Sequence, residues 1–229
     1  MTQREYFDTI SILEGESHSP LEHTRGALGG TNVAGFSAIY SVGDSLVSYL
    51  RHAYELSHEP EGLPTCRFEL VPSGKMAGSE TNTPPVEVPG VTLFLYRVAV
   101  NEHLRNEPRA EAPPPLALDL HYLLTVWAEN VDDEHRIMAW VMLQLHTHNA
   151  LSASDLSPVG VWRPDELVQI IPAEIPQEDI LRMWDALRRP YRPSVTYVAR
   201  VVCIDVQGKP AGRPVVARRF DFTNEVPRS

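Results

Sequence analysis

The chain has 229 residues, of which 43% are hydrophobic and 22% charged, and it carries a formal net charge of −10. That is enough chain for one sizeable core with tails, in the composition range of ordinary soluble globular proteins. With Asp and Glu outnumbering Lys and Arg 30 to 20, neither nucleic acid nor a membrane is an expected partner, because phosphate binding needs a basic excess and no stretch approaches about 18 uncharged apolar residues.

Residues 14–35, EGESHSPLEHTRGALGGTNVAG, are rich in Gly, Ser and Thr without periodicity, so residues 1–36 are expected to form a flexible N-terminal arm. Ile39, Val42, Leu46, Val47, Leu50 and Tyr54 then recur at helical spacing. They predict an amphipathic helix whose polar side carries Asp44, Ser45, Ser48, Arg51 and Glu55. CRFELV (Cys66–Val71) and VTLFLYRVAV (Val91–Val100) read as strands, separated by a loop rich in Pro and Gly. LALDLHYLLTVWAE (Leu116–Glu129) is the clearest strand: Leu116, Leu118, Leu120, Tyr122, Leu124 and Val126 point one way, and Asp119, His121, Thr125 and Trp127 the other.

Asp132 and Asp133 mark a helix start, with Met138, Val141, Met142 and Leu145 as its apolar stripe. ELVQII (Glu166–Ile171) is a short strand. PQEDILRMWDALRR, opening at Pro176, is a helix with acids early and arginines late. VTYVARVVCIDV (Val195–Val206) is a long strand, and PVVARRF (Pro214–Phe220) a short last one in a C-terminal tail, residues 207–229. The order predicts a single α/β (α+β) domain over residues 37–206, with helices packed on a mainly antiparallel sheet.

Gly43-Asp44-Ser45-Leu46 spells a serine-esterase signature, and Asp132 and His135 have the Asp-x-x-His spacing of a triad. The tetrapeptide lies inside a helical repeat, though, where a hydroxyl is solvated or bonded to its own helix, and the Gly and Asn blocks of an oxyanion hole are missing. His146 and His148 diverge on a helix, and no metal-ligand spacing occurs. Gly26, Gly29 and Gly30 follow no strand, so no nucleotide loop is expected. No cofactor or metal is predicted. Cys66 and Cys203 sit in apolar runs, which suits reduced thiols in a cytoplasmic setting. Asp119 interrupts an apolar strand. Either it faces solvent or a neighbouring subunit together with His121, or it is buried beside an arginine such as Arg97 or Arg192. Tyr191-Arg192-Pro193-Ser194 is a rigid corner that turns the last helix into the last long strand, with Tyr and Arg suited to anchor an interface.

Three blocks, LFLYRVAVNEHLRN (Leu93–Asn106), PPPLALDLHYLLTVWAE (Pro113–Glu129) and LRMWDALRRPYRPSVTYVARVVCI (Leu181–Ile204), resemble in order and spacing the N-terminal-domain family of the cap, or tail-terminator, proteins of bacterial contractile injection systems of the Photorhabdus virulence cassette and antifeeding prophage kind. The resemblance covers about Ser37 to Ile204. Its signature positions here are Asp119, Tyr122, Trp184, Tyr191, Arg192, Pro193 and Ser194. It implies a compact tail-terminator-like fold and a homohexameric ring that stops the inner tube protein from growing and engages the last layer of sheath protein. It also implies assembly in the bacterial cytoplasm, with no catalysis and no cofactor. The alternatives are a monomeric adaptor that binds a tail component, and an esterase built on Ser45. Ring contacts commonly use strand addition or swapped arms, so the N-terminal arm and the Val215–Phe220 segment are candidates for pairing with a neighbour.

Overall fold

A computed structural model of the chain describes residues 35–59, 61–78, 83–101 and 115–204. The predicted N-terminal arm, apart from its last two residues, and the predicted tail strand lie outside the described residues. The elements follow in chain order: α1 (Ala38–Ser57), β1 (Arg67–Leu70), α2 (Ser73–Met76), β2 (Gly90–Val100), β3 (Leu116–Trp127), α3 (Val131–Thr147), β4 (Ala150–Ser152), a 3-10 turn (Pro158–Gly160), β5 (Leu167–Pro172), α4 (Gln177–Ala186) and β6 (Ser194–Ile204).

The strands form one six-stranded sheet in the order β1-β2-β3-β6-β5-β4. Every neighbouring pair is antiparallel except β1 with β2. The fold is therefore the mixed, mainly antiparallel α+β domain that the hydrophobic patterns predicted. The short α2, β4 and 3-10 turn went unpredicted, because three or four residues are too few to show a period.

Strand β3 places the two layers. Its Leu118, Leu120, Tyr122, Leu124 and Val126 enter a core cluster with Val42, Leu46, Leu50 and Tyr54 of α1 and Ile137, Trp140, Val141 and Leu145 of α3. Its Leu123 and Trp127 point the other way and pack with Phe94 of β2, Met76 of α2 and Trp184 of α4. The alternation read from the sequence is thus real, but both faces are covered.

The helix ends follow local chemistry. Asn130 caps α3 by accepting the Asp133 N–H at 2.9 Å, and Asp132, Asp133 and Glu134 fill the first turn, where the helix dipole favours acids. Helix α4 ends at Ala186, so the predicted terminal arginines lie beyond it. Arg188 N donates to Asp185 O at 2.9 Å and Arg189 N to Trp184 O at 3.3 Å, the paired bonds of a Schellman ending. That motif puts Arg188 at a φ of 55°, a position usually held by glycine. The reversed chain runs close to the loop after α2: Gly78 N donates to Leu187 O at 2.7 Å, and a Cβ on Gly78 would lie 2.3 Å from the Arg188 carbonyl.

Arg188→Gly should therefore raise unfolding stability by about 1 kcal/mol, the cost of the left-handed turn for a residue with a Cβ. Urea denaturation measures this as a higher midpoint at unchanged slope; a lower midpoint would show that the Arg188 side chain outweighs its backbone strain.

Candidate assembly surfaces

Ser45 is 3% exposed and lies in the interior of α1, not on its polar side as the pattern suggested. Its hydroxyl donates to Ser41 O at 2.6 Å and accepts the Ser157 N–H at 2.7 Å. Ser41 is likewise buried, with its hydroxyl donating to Ser157 O at 2.8 Å and accepting from Trp162 Nε1 at 2.9 Å. The two serines therefore dock the helix onto the loop around the 3-10 turn. Gly43 completes the explanation of the tetrapeptide. A Cβ there would meet both Leu70 methyls at 2.9 Å, so glycine lets α1 approach β1. The string serves packing, and the Ser45 hydroxyl has both its roles filled inside a helix.

The corner after α4 gathers most of the signature residues. Trp184 is buried and meets Trp127 and Tyr191 edge-on, with ring centroids 6.2 and 6.4 Å away. Trp127 is flanked by two guanidinium groups, Arg189 at 5.5 Å and Arg192 at 4.9 Å from its ring centroid. Arg192 Nη1 lies 3.6 Å from Glu134 Oε1 of α3. The Ser194 hydroxyl donates to Arg192 O at 2.9 Å and shares a hydrogen bond with Thr125 Oγ1, also at 2.9 Å. Trp127, Glu134 and the Arg189–Pro193 segment, including Pro193, line a depression of about 220 Å³. Tyr191 stands half exposed at its rim.

Arg189 carries no sequence signal beyond its place near a helix end, yet it holds this corner together. It is 7% exposed and has no carboxylate partner among the described residues. Its Nε donates to Met76 O at 2.7 Å, Nη1 to Thr83 O at 2.9 Å and Nη2 to Ala77 O at 3.1 Å. Burial, and then the charge of Arg192, lower its pKa from the ordinary arginine value.

Asp119 and Tyr122 lie elsewhere. Asp119 is 8% exposed and bonded: Asn101 Nδ2 donates to its two oxygens at 3.1 and 3.3 Å, and Arg200 Nε donates at 3.3 Å. The partner is Arg200, not Arg97 or Arg192. The pairing of β3 with β6 shifts register between Leu118 and Leu120, which brings Arg200 alongside Asp119. Arg192 precedes Ser194, which pairs with Thr125, six residues and about 20 Å along the strand from Asp119. His121 shares that face, and burial together with Arg97 lowers its pKa. Tyr122 projects into the main core, where its hydroxyl is buried without a hydrogen-bond partner among the described residues.

An apolar surface, not anticipated from the sequence, flanks the start of α1. Gly35 N donates to Gly160 O at 3.2 Å, which sets Phe36 beside the 3-10 turn. Phe36 is 90% exposed, and Tyr40, Val159 and Val161 are exposed as well. Val161 sits at a φ of 55°, a costly conformation for a β-branched residue. Among the described residues no group of three His, Cys, Asp or Glu is arranged to hold a metal, and no helix is long and apolar enough to cross a membrane. Cys66 is a free thiol whose pKa burial pushes up to about 12, so no disulfide joins it to Cys203.

The family model described as the Pvc16 N-terminal domain matches residues 41–218. The chain belongs to that family. It is the family that the three sequence blocks suggested. Among solved structures, the chain is similar to the sheath/tube terminator of an extracellular contractile injection system, PVC, in its extended state. The identity is 19% and the TM-score 0.47, over 82% of this chain and 65% of that one. It is also similar to the anti-feeding prophage cap, a tube-terminating cap, at 16% identity and TM-score 0.44, over 83% of this chain and 59% of that one. The chain thus spans less than two thirds of the length of either. No curated protein matches it.

Arg189→Leu should destabilise the fold by about 3 kcal/mol, because the carbonyls of Met76, Ala77 and Thr83 lose their charged donor inside the protein. Chemical denaturation of purified variant and parent measures the difference; a loss below about 1 kcal/mol would mean that water replaces the guanidinium at no cost.

Proposed function

We propose that this chain is the structural domain of a cap that terminates the inner tube and the sheath of a phage-tail-like contractile injection particle. The observation that carries this reading is the family match across residues 41–218, which takes in the whole sheet and all the helices except the first three residues of α1. The chain assembles as a homohexameric ring in the bacterial cytoplasm and remains in the particle, in contact with copies of itself, the inner tube protein and the sheath protein. It makes and breaks no bond and uses no cofactor.

The surfaces favour such a role. The strained Val161 turn and the exposed Phe36, Tyr40 and Val159 form an apolar face of the kind that partners cover. The corner from Tyr191 to Ser194 offers an aromatic and a cationic group held by Trp127 and Trp184, as interface anchors require. Ser45, the residue on which an esterase would depend, is buried and bonded to backbone on both sides. A net charge of −10 suits protein partners better than nucleic acid.

Electron microscopy of the purified protein mixed with inner-tube segments tests the proposal. Closed rings seated on tube ends are expected. Binding scattered along the tube walls, or single copies with no end preference, would replace the cap reading with the adaptor.

A further inference from the structure

The outer edge of β2 is only partly used. β1 pairs with Gly90–Leu93, and Val71 N adds one further bond to Leu93 O at 3.0 Å. From Leu95 to Val100 the side of β2 away from β3 has no strand among the described residues. Asn101 N donates to Ala117 O at 2.9 Å, and Ala99 lies opposite Asp119. Strand alternation therefore turns the backbone N–H and C=O groups of Val98 and Val100 outward. Their side chains are 45% and 50% exposed. An open edge with apolar residues on it is a template for one more strand.

We propose that Pro214–Phe220 of the same chain, PVVARRF, adds to this edge as a strand antiparallel to β2. The family match continues to residue 218, so it takes in residues 214–218 of this segment. The direction suits: β2 and β6 are both antiparallel to β3, and Val100 and Val202 both pair with Leu118, so the two strands end at the same end of the sheet. The tail leaves Ile204 there, three strand spacings or about 14 Å from an added position beyond β2. Residues 205–213 can span about 30 Å, which is ample.

Composition agrees as well. Val215 and Val216 favour a strand, Pro214 is tolerated as a first residue, and Arg218 and Arg219 would discourage any further pairing on the new edge. A segment tethered this closely has an effective concentration in the millimolar range, above that of a neighbour's tail in dilute solution. The proposal does not rest on the cap reading.

Amide hydrogen exchange, read by NMR on the 229-residue chain and on its Val216→Pro/Ala217→Pro variant, tests it. The amides of Val98 and Val100 should exchange about 100-fold faster in the variant, as expected when a strand bond is lost to local opening. Those of Ala99 and Asn101, which face β3, should be unchanged and so report an intact fold. The protection should not vary with protein concentration. Equal exchange of Val98 and Val100 in both proteins would overturn the proposal. So would protection that appears only as concentration rises, since the strand would then come from a second copy.

Discussion

Strand β3 has almost no solvent face, and the rest of the structure answers to that constraint. A twelve-residue strand in the middle of the sheet sends its even positions under α1 and α3, and its odd-numbered Leu123 and Trp127 to the opposite face toward α2 and α4. Each polar group on the odd face must then find a partner inside the protein, because leaving one unpaired costs about 1 to 3 kcal/mol. The neighbouring strands supply them. Trp127 Nε1 donates to Thr92 Oγ1 of β2 at 2.9 Å, Thr125 bonds to Ser194 of β6, and Asp119 takes Asn101 just past β2 and Arg200 of β6. The register of three strands is fixed by these pairs as much as by the apolar residues around them.

From that strand the two candidate contact regions take their positions. Trp127, at the C-terminal end of β3, is the surface on which Arg189 and Arg192 stack and against which Trp184 packs. The corner that exposes Tyr191 is therefore braced from beneath. On the other layer, α1 is pressed onto the sheet through the gap at Gly43 and tied to the 3-10 turn by Ser41 and Ser45. That attachment carries Phe36 and Val161 outward. Both regions are surfaces held in shape by buried polar bonds, as the proposed assembly role requires.

The helices α1 and α3 and the strands β2, β3 and β6 were legible because each is long enough to show its period. What the sequence hid were partners. Ser45 looked like a surface residue because a helical pattern records polarity, not the loop 112 residues later whose N–H meets the hydroxyl. Asp119 was recognised as anomalous, but its arginine is 81 residues away and arrives through a register shift that no pattern reveals. Arg189 read as a charge at a helix end. It became a buried clamp because the chain reverses at Arg188, in a left-handed conformation that a non-glycine residue does not advertise. Of the signature positions, Trp184, Tyr191, Arg192, Pro193 and Ser194 come together, whereas Asp119 and Tyr122 stand apart on opposite faces of β3.

The two layers share β3 and stand or fall together. Leu123 and Leu124 are adjacent, fully buried, and face opposite layers. Urea unfolding of Leu123→Ala and of Leu124→Ala, followed by both far-ultraviolet circular dichroism and tryptophan fluorescence, tests the claim most directly. Each variant is expected to lose about 3 kcal/mol in a single transition on which the two signals coincide. A two-step curve for Leu123→Ala, with fluorescence changing before the helical signal, would show that the α4 layer melts alone and would contradict it.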